Sequence, residues 1–153
     1  LLKCGLRIHE LIALTLKQYE SRNADGMIRL TVTKGSKDRI IFLNDEVVDA
    51  IEDYLQYRKN GSDKLFVSNQ GTEMDRISCS RTIKAIANRS GAFDDDRIAK
   101  LSNHLLRTTC LTDLANSGVP IQIVSQIAGH SGINITSKIY VKNDLGLLKQ
   151  AMA

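Results

Sequence analysis

A mainly helical domain with one small antiparallel sheet (an α+β class) is predicted by three observations on the 153 residues. Apolar residues recur at three- and four-residue spacing through most of the chain. Only the stretch from Met27 to Leu43 switches to alternation rich in Ile, Leu, Val and Thr. Between these segments stand helix-capping residues and stops, such as Asn44, Gly61, Gly91 and Gly118.

The elements follow in order. Ile8 to Tyr19 carries Ile8, Leu11, Ile12, Leu14 and Leu16, which predicts a helix that loosens toward its end. Met27 to Thr33 and Arg39 to Leu43 read as two strands. Lys34-Gly35-Ser36-Lys37-Asp38 between them is a polar, glycine-containing turn, so the pair is a β-hairpin. Asn44 caps a helix from Glu46 to Arg58 with Val47, Val48, Ile51 and Leu55 on one face, and Asn60-Gly61 stops it. Leu65-Phe66-Val67 reads as a short strand closed by Asn69-Gln70-Gly71. Ser78 to Asn88 is a helix with Ile83 and Ile86 inward, ending at Ser90-Gly91, and Asp94-Asp95-Asp96 is a surface loop.

Ser102 or Asn103 caps a helix reaching about Asn116, where Ser117-Gly118 ends it. Pro120 suits the first turn of a helix to Ala128. Gly129-His130-Ser131-Gly132 breaks the chain again. Asn134 starts a short helix bearing Tyr140, and Asp144 a last one to Gln150.

One domain over residues 1–153 is expected, large enough for a hydrophobic core. Leu1-Leu2-Lys3-Cys4-Gly5 reads as the interior of a domain, so a fragment lacking an N-terminal region is expected. No apolar run reaches membrane-spanning length. The net charge of +4 leans toward a polyanionic partner. Cys4, Cys79 and Cys110 are odd in number and lack metal-binding spacing, which points to a reduced, cytoplasmic setting.

The residues that carry chemistry are His104-Leu-Leu-Arg107, Gly129-His130 and Tyr140, joined by Arg7 and Lys34 upstream. Displacement at a phosphodiester builds negative charge on the non-bridging oxygens, and fixed cationic donors in a shielded site stabilise it. The arginine fork binds two phosphate oxygens and stays charged, which makes Arg7 and Arg107 the candidates. Histidine adds hydrogen bonds or moves a proton near neutral pH. A lysine in a hairpin turn can protonate a leaving oxygen. A tyrosine hydroxyl becomes a nucleophile when neighbouring cations lower its pKa from about 10. His104 and Arg107 are three apart on an expected helix and share a face.

In sequence order these motifs resemble the catalytic domain of the tyrosine recombinases, or phage-type integrases. Gly5, Arg7 and Glu10 match Gly-x-Arg-x-x-Glu, and Lys34 matches the lysine of a hairpin turn. His104 and Arg107 match His-x-x-Arg, Gly129-His130 matches Gly-His, and Tyr140 follows ten residues later. The match runs over nearly the whole chain. It implies the recombinase catalytic-domain fold, double-stranded DNA as partner, and no metal or other cofactor. It implies that Tyr140 attacks DNA to leave a 3′-phosphotyrosine and a 5′-hydroxyl. Arg7 and Arg107 then hold the phosphate, Lys34 is the general acid, His104 handles a proton and His130 contacts phosphate. Lys37 lies in the same turn as Lys34 and is the alternative acid. It also implies a tetramer on DNA through the C-terminal tail, and a monomer or weak oligomer otherwise; the apolar tail with Leu145, Leu147, Leu148 and Met152 packs on its own domain or docks on a neighbouring protomer. On this resemblance the family's N-terminal clamp domain is expected to be missing ahead of Leu1.

Further expectations are plainer. Glu10 braces Arg7 or the helix end, His9 is a surface residue and Cys110 belongs to the core. Lys37, Arg39, Arg81 and Lys84 are candidate DNA contacts, with a solvated face as the alternative for the last two and for Arg89. A competing reading takes Leu111 to Ala128 as a helix-turn-helix in a non-catalytic DNA-binding module, which leaves Arg7, Lys34 and Tyr140 as coincidences. A metal-dependent nuclease is disfavoured because the three histidines lack ligand spacing.

Overall fold

In a computed structural model, residues 1–30 and 39–129 are described. The expected hairpin turn and the elements after Gly129, with Lys34, Lys37, His130 and Tyr140, lie outside the described residues. The described elements are α1 (Ile8–Ala13), α2 (Leu16–Glu20), β1 (Met27–Leu30), β2 (Arg39–Phe42), α3 (Asp45–Tyr57), α4 (Arg76–Ser90), α5 (Asp95–Lys100), α6 (Asn103–Asn116) and α7 (Ile121–Ala128). The mainly helical class with a small antiparallel sheet is therefore observed.

The single helix expected from Ile8 to Tyr19 is two helices. The chain turns extended at Leu14, which is only 2% exposed. The Leu14 carbonyl accepts the Leu65 N–H at 2.7 Å, and the Leu16 N–H donates to Asp63 O at 2.9 Å. Pairing with residues 63–65 thus outweighs helix continuation. Thr15 then restarts the helix: its Oγ1 accepts the Gln18 N–H at 3.2 Å, while Gln18 Oε1 accepts the Thr15 N–H at 3.0 Å.

β1 and β2 pair antiparallel, with Ile28 opposite Ile41 and Leu30 opposite Arg39. The strand expected at Leu65–Val67 is instead two isolated bridges, Thr15 with Lys64 and Val67 with Glu73. Leu65 is wholly buried there, so its apolar signal marked core rather than sheet.

Asn44 caps α3 by accepting the Val47 N–H at 3.0 Å. Ile51 is buried, with Val47, Val48 and Leu55 packed beside it as expected. α4 begins at Arg76 because Asp75 takes the capping position, accepting the Ser78 N–H at 2.7 Å. Its inward row is Cys79, Ile83 and Ala87 at four-residue spacing, so Ile86 points out and is 54% exposed, against expectation. The acidic loop is also corrected. Asp94 caps α5, and Asp95 and Asp96 occupy its first turn, where negative charge suits the helix dipole. Ser102 caps α6.

One continuous core joins the first and last parts of the described residues. Leu6, Leu14, Tyr19, Ile28, Ile41 and Leu65 from the first half pack with Cys110, Leu114, Ile123, Val124 and Ile127 from the second. This packing brings the N-terminus of α1, the start of β2 and the C-terminus of α7 together.

Thr15→Ala should lower the unfolding free energy by about 1 kcal/mol through the lost cap. The measurement is a reduced urea midpoint at unchanged m-value. A midpoint equal to that of wild type would mean that the pairing with Lys64 alone holds the break.

Candidate active site

Arg7 stands at the N-cap of α1, with extended backbone, and Glu10 lies one turn on. The Glu10 carboxylate reaches back to the Arg7 N–H, Oε2 accepting at 2.6 Å, and so satisfies one of the unpaired donors at the helix start. The side chain is 2% exposed. A buried carboxylate needs charged partners, and two arginines supply them. Arg39 grips both oxygens, Nε to Oε1 at 3.0 Å and Nη2 to Oε2 at 2.6 Å. Arg7 Nη1 donates to Oε1 at 3.2 Å.

The same arginines meet the end of α7. The last carbonyls of a helix have no intrahelical partner and carry partial negative charge. Here Arg39 Nη1 donates to Ile127 O, Arg107 Nη2 to Ala128 O at 2.5 Å, and Arg7 Nη2 to Gly129 O at 2.9 Å. Arg107 Nη1 also donates to Gly5 O, two residues before Arg7. Three guanidinium groups from α1, β2 and α6 therefore share one helix terminus. Gly129 closes it in the left-handed region at φ 59°. A Cβ there would sit 2.9 Å from Arg39 Cδ and 3.0 Å from Arg7 Nη1, so only glycine leaves room.

Among the described side chains the balance of charge is positive: three arginines face one carboxylate. Burial would raise the Glu10 carboxyl. The Arg39 and Arg7 hydrogen bonds and their charges outweigh that and hold it below its ordinary 4.5. Burial, then the nearby charges of Arg7 and Arg39, pull Arg107 below the ordinary guanidinium range. Such a cluster favours an added anion. Each guanidinium has five donors, and the contacts of Arg7 and of Arg107 described above use two each. The Arg7 side chain is 29% exposed, and so open to a ligand, against 10% for Arg39.

The structure thus brings Arg7 and Arg107 together, with Glu10 as the brace that was expected. His104 is exposed on the first turn of α6, one turn before Arg107. Among the candidate DNA contacts, Arg39 is half-buried, with its guanidinium engaged in the ion-pair cluster. Sequence reasoning missed this role. The signal was available in strand alternation, which puts Arg39 on the same face as buried Ile41. Lys84 Nζ donates to Ala99 O near the end of α5 at 3.0 Å, and Arg81 is exposed on α4. His9 is exposed and Cys110 buried, as expected. α6 and α7 do form a helix pair joined by a short turn, but α7 buries Ile123, Val124, Ile127 and Ala128 and ends in the arginine cluster.

Comparison with known proteins points the same way. The description "Phage integrase family" matches residues 1–145. The tyrosine recombinase XerD of Yersinia pestis is 36% identical over 142 residues, covering 89% of this chain and 45% of that protein. The tyrosine recombinase XerC of Pelobacter propionicus is 32% identical over 136 residues, covering 88% of this chain and 42% of that protein. The chain thus spans about half the length of the curated relatives it matches. A crystal structure of XerA recombinase superposes with TM-score 0.70 at 26% identity, covering 92% of this chain and 54% of that one. A post-cleavage complex of XerH site-specific recombinase with palindromic difH substrate gives 0.67 at 24% identity, covering 98% and 42%.

The depressed Glu10 carboxyl sets a pH dependence. Its contribution to stability is complete above the unfolded value of 4.5 and is lost as pH falls through the lower folded value. Chemical denaturation across pH should show wild type losing its advantage over Glu10→Gln below pH 4.5. Parallel curves for the two proteins would show that Glu10 is not the group that titrates.

Proposed function

Because this chain belongs to the phage integrase family, we propose that it forms the catalytic portion of a site-specific recombinase that cuts and rejoins double-stranded DNA. The observation that carries this reading is the convergence of Arg7 and Arg107 on the end of α7, with positive charge in excess. The next residue in sequence after that terminus is His130.

On this reading the scissile phosphate lies against the Arg7 and Arg107 guanidinium groups. The Tyr140 hydroxyl oxygen attacks phosphorus, and the bond from phosphorus to the 5′-oxygen breaks. The products are a 3′-phosphotyrosine and a 5′-hydroxyl whose proton comes from Lys34. His104, one turn from Arg107 and open to solvent, suits transfer of the tyrosine proton, and His130 suits a phosphate contact. A 5′-hydroxyl of a second strand then reverses the step and rejoins the DNA. The arginines supply the fixed positive charge that stabilises the transition state, so the reaction is proposed to need no divalent metal. Further parts of the proposal are assembly as a tetramer on DNA through the C-terminal tail, a weaker or monomeric state without DNA, and action in the cytoplasm. Among the described residues no helix is long and apolar enough to cross a membrane. Arg81, exposed on α4, is a candidate contact to flanking phosphates, and Lys37 remains one in the segment between β1 and β2.

The test is covalent capture. The full-length protein is incubated with nicked duplexes of randomised sequence in excess chelator, and denaturant-resistant adducts are sequenced. Wild type should form an adduct and Tyr140→Phe none, with DNA binding retained. An adduct with Tyr140→Phe would remove Tyr140 as the nucleophile, and capture that requires added metal would remove the metal-free step.

The general acid is tested separately. Loss of a well-placed acid typically costs about 10²–10⁴-fold, because an alkoxide leaves poorly. Lys34→Ala should be slow on ordinary DNA and largely recovered on a 5′-phosphorothiolate, whose sulfur leaves without protonation. Arg7→Ala and Arg107→Ala should not recover. Rescue of Lys37→Ala in place of Lys34→Ala would transfer the role to Lys37. Rescue of neither would make His104 the next candidate.

A further inference from the structure

We infer that Arg39 is a positioning residue for DNA cleavage: by occupying both oxygens of Glu10, it keeps the Arg7 guanidinium available to the phosphate. The inference rests on the recombinase reading above. Arg39 begins β2, and its side chain is 10% exposed, whereas that of Arg7 is 29% exposed. Exposure alone does not separate Arg39 from Arg107, which is 7% exposed; the commitment of its donors does. All three of its guanidinium nitrogens are engaged, Nε and Nη2 on the Glu10 carboxylate and Nη1 on Ile127 O. Arg7 makes a single and longer side-chain contact to Glu10, at 3.2 Å, and keeps its other arm on Gly129 O.

This asymmetry determines where Arg7 sits. A carboxylate 2% exposed must be paired, because leaving it alone in a poorly solvated site is costly. With Arg39 in place, the Glu10 charge is cancelled by a partner that faces inward. Without Arg39, the only described cation left on Glu10 is Arg7. A planar fork prefers two-point contact with a carboxylate, so Arg7 would rotate onto Glu10 and leave Gly129 O. Its charge would then be spent on Glu10 rather than on the phosphate. Arg39 thus acts on the reaction through Arg7 and not by contact with the reacting atoms.

The test uses the full-length protein and a duplex selected by covalent capture. Adduct formation is followed in single turnover as a function of DNA concentration. Arg39→Met should lower the saturating rate by about 10²-fold, the scale expected for displaced catalytic groups. The DNA concentration at half-saturation should stay close to that of wild type. Arg39→Lys keeps the charge but not the fork, and should fall between. Adding Glu10→Gln to Arg39→Met removes the competing carboxylate and should recover roughly 10-fold of the rate. A purely structural role gives no such recovery. Each variant is checked by circular dichroism at the assay temperature, and if Arg39→Met fails to fold, Arg39→Lys with and without Glu10→Gln is read in its place. A raised half-saturation at an unchanged rate would make Arg39 a DNA contact and overturn the inference. So would a double variant no faster than the single one. Failure of wild type to form any adduct is a different result, and it overturns the functional reading together with this role.

Discussion

A carboxylate buried at the start of a helix has to be satisfied by its surroundings, and the Glu10 side chain, at 2% exposure, is in that position. Its two oxygens accept from the Arg7 backbone, the Arg7 side chain and both edges of Arg39. The contacts reach from α1 to β2, which are distant in sequence. Both arginines continue to the end of α7. Remove the carboxylate and, among the described residues, no ion-pair partner of Arg7 and Arg39 remains to hold them side by side. Their mutual repulsion would then act on the same carbonyls that now hold them together. Glu10 is thus the counter-charge that allows two arginines to approach one helix terminus.

The helix terminus makes its own demand. Three successive carbonyls, of Ile127, Ala128 and Gly129, each take an arginine donor. That arrangement satisfies groups a helix leaves unpaired and places cations at its negative end. It also explains why glycine precedes histidine in the Gly129-His130 dipeptide. The backbone must turn left-handed at residue 129, and the space a side chain would need is filled by Arg7 and Arg39. Glycine at this position thus suits both the left-handed backbone and the arginines packed on the helix end.

Much of this was legible from the sequence, for reasons that differ by element. α3 was read correctly because its cap, its apolar face and its stop agree with one another. The break in the first helix was not legible. Leu14 fits the helical period, and only a partner fifty residues away, the segment at Leu65, draws it out of the helix. Tertiary pairing overrode local propensity there. Leu65 misled for the same reason, since an apolar β-branched and aromatic run cannot say whether it pairs in a sheet or fills a core. In the site, Arg7 and Arg107 stood out because their motifs are spaced in a recognised order. Arg39 belongs to no such motif and was read as a surface contact. Its inward direction follows from alternation with Ile41, but an inward arginine makes sense only once Glu10 is known to lie opposite.

The charge left over has a direction of effect on the chemistry. A phosphodiester in its ground state carries one negative charge, and the pentacoordinate transition state of its displacement carries about two. Three arginines against one carboxylate leave an excess of two positive charges among the described side chains. Such an excess attracts both states but attracts the more highly charged one more strongly. Interactions that grow toward the transition state are the ones that raise the rate. Burial, and then the charges of its two arginine neighbours, pull Arg107 downward. The charges of the cluster repel one another in a poorly solvated place. A phosphate arriving between Arg7 and Arg107 would relieve that repulsion, and the relief would be larger as the phosphate gains charge. On the proposed reading, the repulsion among three arginines on one helix end, offset in large part by Glu10 and the α7 carbonyls, would favour a dianion over a monoanion at the site.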